Sequence, residues 1–202
     1  MSEHFNQRAP VFWFTGLSGA GKSSIAEHAK AVLADQGLAV SIIDGDDVRR
    51  TLHVHLGFSR ADIMTNNRLI SEICAKSRHD CEAVFVPIIS PYRESRRAAR
   101  QLLNPGFFEI FIDADLDTVI QRDTKGLYRR ARDNQIDNMI GFHDSSPYEY
   151  PEAPDLRIPT SALPENESAN MFLSFVLNAL LSQKPEMAHP QPQSERDGTQ
   201  QT

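Results

Sequence analysis

A chain of 202 residues, 40% hydrophobic and 24% charged, can bury one core of ordinary α/β size and is short for two domains. That composition excludes wholesale disorder and a coiled coil, and a net charge of -6 argues against a general nucleic-acid binder while leaving room for local cationic clusters. No apolar run approaches the roughly 18 residues needed to cross a bilayer, and the opening stretch MSEHFNQRAP has no apolar signal segment, so a cytoplasmic chain is expected.

In chain order, the apolar run Val11 to Thr15 reads as a strand, followed by a glycine turn and a helix over Ser23 to Asp35 that ends near Gly37. The alternation continues with a strand at Ala39 to Ile43, a long helix at Ala61 to Cys81, a strand at Ala83 to Ile89 and a helix at Glu94 to Leu103. Phe108 to Ile112 is a further strand and Leu116 to Arg122 a helix. A short strand at Leu156 to Ile158 and an apolar helix at Ser168 to Leu181 close the pattern. Short, nearly continuous apolar strands separated by helices predict a doubly wound parallel sheet of about five strands with helices on both faces. Asp123 to Pro154 is charged and carries no strong strand signal, which predicts a lid of about residues 123–150 over the sheet. Residues 1–182 are expected to form a single domain, with 183–202 too poor in apolar residues to order themselves. Cys74 and Cys81, seven apart, fit neither a redox pair nor zinc-ligand spacing and read as core or half-buried thiols. His53, His55, His79 and His143 have no metal-ligand spacing and read as surface histidines.

Gly16-Leu17-Ser18-Gly19-Ala20-Gly21-Lys22-Ser23, followed by Ser24, matches the phosphate-loop pattern between a buried strand and a helix. Backbone N–H groups of such a loop curl around a β-phosphate, the helix dipole faces the anion, the lysine spans β and γ oxygens, and the serine hydroxyl ligates Mg²⁺. Lys22 and Ser23 supply those two groups, so a nucleoside triphosphate with Mg²⁺ is the expected cofactor. After the second strand, Asp44-Gly45-Asp46-Asp47-Val48-Arg49 puts carboxylates at the sheet edge where ligands collect, suited to orienting or deprotonating an acceptor hydroxyl; the same acids would also cap a helix. Ser90-Pro91-Tyr92-Arg93 reaches that edge as well, with Arg96 and Arg97 behind it as candidate anion ligands. In the cationic run of the lid, Lys125 is the better candidate for neutralising transferred charge, and Arg130 and Arg132 read as a solvated face.

Taken together, GLSGAGKSS, IIDGDDVR, LGFS, IISPYR, RDTKGLYRRAR and PYEYPEAPDLRI, in this order over residues 11 to 160, resemble the adenylylsulfate (APS) kinase family. The resemblance implies a P-loop kinase fold and phosphorylation of the 3′-hydroxyl of adenosine 5′-phosphosulfate by MgATP, bound at residues 16 to 24. It implies that Asp46 is the base or orienter of the acceptor hydroxyl, with Asp44 beside it. Arg49, Phe58 and Asn66 would contact the acceptor nucleotide, with Phe58 stacking on its base; Ile89, Ser90 and Pro91 would line the pocket, and Lys125 would lie near the phosphosulfate. It further implies a role in sulfate assimilation and a homodimer. The chain departs from the family pattern on the acceptor side. Ile63 stands where an arginine follows Asp62, with Arg60 and Arg68 as candidate substitutes; Asp47 replaces an asparagine; and Met139-Ile140-Gly141 replaces Phe-Thr-Gly ahead of a turn about two residues longer. Those departures leave open the same scaffold acting on a different nucleotide-type acceptor such as a nucleoside diphosphoramidate. A third reading, a nucleotide-binding regulatory module without turnover, is opposed by the intact Lys22, Ser23 and Asp46.

Overall fold

The apolar run Val11 to Thr15 becomes the middle strand of a five-stranded parallel sheet, with the expected site residues on the loops and helices that follow its strands. The structure, a computed structural model, describes residues 8–51 and 55–182. Its elements are β1 (Val11–Thr15), α1 (Lys22–Asp35), β2 (Val40–Ile42), α2 (Gly45–Thr51), α3 (Arg60–Ser77), β3 (Ala83–Val86), α4 (Arg93–Leu103), β4 (Phe107–Asp113), α5 (Leu116–Arg122), α6 (Leu127–Arg132), β5 (Leu156–Pro159) and α7 (Glu165–Ser182). The strands run in the order β2-β3-β1-β4-β5, with Val11 opposite Val84 on one side and Phe107 on the other.

All five residues of β1 are buried, because alternate side chains enter opposite hydrophobic layers. Phe12 and Phe14 join the layer that contains residues of α1 and α7, where the Phe172 ring lies 4.9 Å from Phe14 and 5.0 Å from Phe85. Val11 and Trp13 join Ile70, Cys74, Ala99 and Leu103 of α3 and α4. Cys74 sits in this second layer, where burial pushes its thiol up to about 12, and Cys81 is half-buried. Among the described residues, no helix is long and apolar enough to cross a membrane.

Boundaries differ from the sequence expectation where a single side chain intervenes. The long helix stops at Ser77, short of Cys81, since Arg78 leaves the helix and donates to the carbonyls of Ala9 and Pro105 at 2.7 and 2.8 Å. β3 ends at Val86 and does not run to Ile89, because Pro87 has no N–H to continue the ladder. The last helix begins at Glu165, three residues before the expected start, behind Pro164 and with two acids in its first turn. The charged stretch after Arg122 contains the short helix α6, whose first N–H groups at Tyr128 and Arg129 are both held by the Asp123 carboxylate at 3.0 Å. The expected disordered tail, residues 183–202, and His53 lie outside the described residues.

Arg93 and Arg96 correct the expectation of an anion site behind Tyr92. Arg93 donates to the Tyr150 carbonyl at 2.7 Å and pairs with Glu152. Arg96 is 2% exposed, and its guanidinium donates to the Glu109 carboxylate at 2.6 Å and to the carbonyls of Ser90 and Glu149 at 2.7 Å each. Its planar fork therefore fastens α4, β4, the loop after β3 and the chain leaving the lid segment into one body. Arg97 remains exposed. Replacing Arg96 by methionine takes the close partner from the Glu109 carboxylate, leaving it Arg100 at 3.7 Å, and the donor from the Glu149 carbonyl, so urea denaturation of the Arg96→Met variant is expected to show a loss of about 3 kcal/mol, whereas Arg97→Met should stay within about 0.5 kcal/mol of the parent.

Candidate active site

The turn after β1 is built to approach other backbone closely and to leave a helix end open. Gly16 has φ 149°, and a Cβ there would lie 2.4 Å from the Ile112 carbonyl oxygen, so no side chain fits between loop and β4. Gly21, at φ 103°, caps α1 without a side-chain hydrogen bond, and the first turn of that helix carries no acid. The positive end of the 14-residue α1 helix is thus presented to an anion with no competing carboxylate. Lys22 folds back over the loop, its Nζ donating to the carbonyls of Gly16 and Leu17 at 3.0 and 2.7 Å. Burial lowers its pKa to about 7, helped by the charge of Lys125 and opposed by Asp46 and Asp44.

The carboxylates after β2 are joined to this loop. Asp44 accepts from the Ser23 hydroxyl at 3.2 Å through one oxygen and from the backbone N–H of Asp46 at 2.8 Å through the other. One residue therefore caps α2 and faces the phosphate-loop serine, so capping and site geometry coincide. Asp46 pairs with Lys125 at 2.5 Å, bringing two predicted site residues together from segments 79 positions apart. Asp47 pairs instead with Arg50 one helical turn on, which neutralises the extra acid at the exposed side of α2.

The facing wall comes from α3 and from the loop after β3. Arg49 donates to the Gly57 carbonyl at 2.8 Å and lies 4.8 Å from the centre of the Phe58 ring, which is 62% exposed. Asn66 is buried, as is Ile63 one turn before it. Arg60 and Arg68 do not replace the arginine missing at Ile63: Arg60 stacks on Tyr92 at 4.1 Å and pairs with Glu149 at 3.0 Å, Arg68 pairs with Glu72, and neither lines the cavity. Ser90 is buried with φ 42°, a left-handed conformation that non-glycine residues seldom adopt.

The phosphate loop, the acids after β2 and the facing wall border a cavity of about 910 Å³. Ser18 to Ser24, Asp44, Asp46 and Arg49 line it, as do Phe58, Asn66, Ile89, Ser90, Pro91 and Lys125; Gly16 and Leu17 lie behind it and shape the loop. The roof is formed by residues of the 123–150 segment, held down by the Tyr128 hydroxyl donating to the Ser18 carbonyl at 2.9 Å and by Leu17, whose side chain would be 2.5 Å from a Cβ at Gly141. Arg130, expected on a solvated face, lines the cavity, and so does Arg122, which also donates to the Thr160 carbonyl at 2.6 Å. His143, expected at the surface, is half-buried and accepts the Met139 N–H through Nδ1 at 3.2 Å. No cluster of three His, Cys, Asp or Glu side chains suited to a metal is found among the described residues.

Asn67 is a wall residue that motif reasoning misses. Its signal was present in the sequence: positions 63, 66, 67, 70, 71 and 74 form the buried stripe of α3, and a polar Asn66, Asn67 and Ser71 on such a stripe require buried partners.

Comparison with known proteins agrees with this geometry. The family model described as adenylylsulphate kinase matches residues 8–159. An adenylyl-sulfate kinase of Geotalea uraniireducens is 44% identical over 170 residues, covering 84% of this chain and 81% of that one. Among solved structures, the Mycobacterium tuberculosis APS kinase in complex with AMPPNP and APS superposes with a TM-score of 0.77 at 37% identity, covering 85% of this chain and 98% of that one. A hexameric APS kinase from Thiobacillus denitrificans matches with a TM-score of 0.60 at 31% identity, covering 86% of this chain and 29% of that one. With a parallel sheet in the expected strand pattern, a phosphate loop and a family match over most of its length, the chain belongs to the adenylylsulphate kinase family.

Proposed function

We propose that this chain transfers the γ-phosphoryl group of MgATP to the 3′-hydroxyl of adenosine 5′-phosphosulfate, giving 3′-phosphoadenylyl sulfate and ADP, a step of sulfate assimilation. The observation that carries this reading is the continuity of one cavity from the phosphate loop, past Asp46 and Lys125, to the wall of Phe58, Asn66 and Ile89 to Pro91. A donor and an acceptor nucleotide meet in such a space with the reacting groups between them. The hexameric relative supports self-association of this chain, of which a homodimer is the simplest form.

The residues present fit Mg²⁺: the hydroxyl of Ser23 and the carboxylate of Asp44 are hard oxygen donors 3.2 Å apart beside the open end of α1. Bound there, the ion would neutralise charge on the β and γ oxygens. The N–H groups of residues 18 to 23 hold the polyphosphate, and Lys22 exchanges its two carbonyl partners for phosphate oxygens. Asp46 exchanges Lys125 for the acceptor hydroxyl and takes up its proton as the oxygen bonds to phosphorus. The bond to the bridging oxygen then breaks, leaving ADP. Lys125 and Arg130, delivered by the roof, supply positive charge to the transferred group, and closure of residues 123–150 as a lid excludes water.

One observation favours a second reading with a different nucleotide-type acceptor. Ile63 is an apolar part of the acceptor wall, and Arg60 and Arg68 are committed to Glu149 and Glu72. The experiment that separates the two is ADP release with MgATP and adenylyl sulfate, ADP, CDP derivatives or a nucleoside diphosphoramidate, with products identified by mass spectrometry. Turnover on adenylyl sulfate is expected, with kcat reduced about 10²- to 10⁴-fold by Asp46→Ala and the KM for ATP nearly unchanged. Turnover only on another acceptor overturns the first reading.

The lowered pKa of Lys22 gives a separate expectation with a definite sign. Above about pH 7 the ligand-free lysine is largely neutral, and a polyphosphate favours the charged form, so binding takes up a proton and weakens as pH rises. Calorimetry of ATP binding at pH 8 in two buffers of different ionisation enthalpy should show uptake approaching about one proton. Lys22→Arg, permanently charged, should show none.

A further inference from the structure

Ser90 stands at the acceptor wall in a backbone conformation that needs outside support, and four donor atoms supply it. Its hydroxyl accepts from the Trp13 indole N–H and from the Asn67 side-chain amide, each at 3.0 Å, which fills both acceptor positions of that oxygen. Its carbonyl accepts from Arg96 at 2.7 Å and from the Thr15 hydroxyl at 3.1 Å. Asn67 has a second bond, donating to Ser95 at 3.0 Å, so its amide is fixed between the loop after β3 and the first turn of α4. Trp13, Asn67 and Ser95 are all buried, which makes each partner costly to remove and the arrangement rigid. Left-handed φ values at non-glycine residues persist only where surroundings over-determine them, and they gather at ligand-binding positions.

We infer that Asn67, acting with Trp13, is a positioning residue for the acceptor nucleotide: it holds Ser90 in its left-handed conformation and thereby sets the Ile89 to Pro91 wall against which the acceptor is bound. The inference rests on the proposed adenylyl sulfate reading. Asn67 touches no reacting group. Its effect passes through the backbone at Ser90. The phosphate loop meets that wall at its base, through Thr15 and the Gly16 N–H, while Lys22 and the open end of α1 are held by contacts that do not involve Ser90, so acceptor binding responds more strongly than donor binding to the loss of Asn67.

The test is steady-state kinetics of the full chain on adenylyl sulfate and MgATP for the parent, Asn67→Leu, Ser90→Gly and the double variant, with folding checked by thermal melting. Asn67→Leu should raise the KM for adenylyl sulfate about tenfold while the KM for ATP stays within about twofold. In the Ser90→Gly background the same substitution should change the acceptor KM less than about twofold, since glycine takes φ 42° without support. Should Asn67→Leu not fold, the milder Trp13→Phe removes the other donor and should show the same split. An equal rise of both KM values, no rise in either, or an undiminished effect in the Ser90→Gly background overturns the inference while the parent is active. A parent that binds ATP yet does not turn over adenylyl sulfate overturns the acceptor reading and this inference with it.

Discussion

One hydroxyl at the end of the central strand ties the two halves of the site together. Thr15 Oγ1 lies 2.9 Å from the Ile89 carbonyl, 3.1 Å from that of Ser90 and 2.7 Å from the Tyr148 hydroxyl. A threonine has a single proton to give, so the two carbonyls share it and Tyr148 is the donor in the third contact. That assignment agrees with a Tyr148 phenol whose pKa is pushed up by burial. Through this atom the base of the phosphate loop, the Ile89–Ser90 side of the cavity and the chain leaving the roof are held at fixed separations, and the Gly16 N–H bonds to Ile89 as well, at 3.3 Å. The parallel sheet makes the meeting possible by delivering the ends of β1, β2, β3 and β4 to the same edge.

The charges around that edge satisfy one another before any substrate is present. Lys22 is folded onto loop carbonyls, Asp46 onto Lys125, and Asp44 onto Ser23 and the start of α2. Each such partner is one a substrate can replace: a phosphate oxygen for a carbonyl, a hydroxyl for an ammonium group. The exposed Asp46–Lys125 pair is worth little in free energy, which is what an exchangeable contact requires. Arg96, by contrast, is buried with three acceptors and no substrate could displace it.

Most of the sheet and the phosphate loop were legible in the sequence because their causes are local. Val11 to Thr15 is apolar at every position, and the glycines at 16, 19 and 21 occupy conformations that the loop's own path demands. Asp44 and Asp46 were legible for the same reason, being fixed within four residues of a strand end. The role of Arg96 was not, since an arginine just beyond Ser90 reads as an anion ligand until Glu109, on a strand the sequence reaches later, is placed beside it. Arg130 failed in the opposite direction, its direction toward the cavity being set by α6, a short helix whose start depends on the Asp123 carboxylate. Asn67 is legible as a polar position on the buried stripe of α3, but its partners, Ser90 and Ser95, arrive from another segment.

Where positive charge comes from distinguishes the two walls of the cavity. On α3 a cavity-lining position is the apolar Ile63, and the two nearby arginines are held by Glu149 and Glu72. The roof, in contrast, contributes Lys125 and Arg130, and α2 contributes Arg49. Under the proposed reading, charge on the acceptor is then met chiefly by cations that move with residues 123–150 and not by ones built into the rigid helix wall. Recognition of the acceptor's anionic group and closure over the reacting atoms become one event in this arrangement. A ligand lacking that anion would find fewer partners on the roof and would leave Lys125 paired with Asp46, so the ion pair that rests at the centre of the site also sets a condition for entering the reaction.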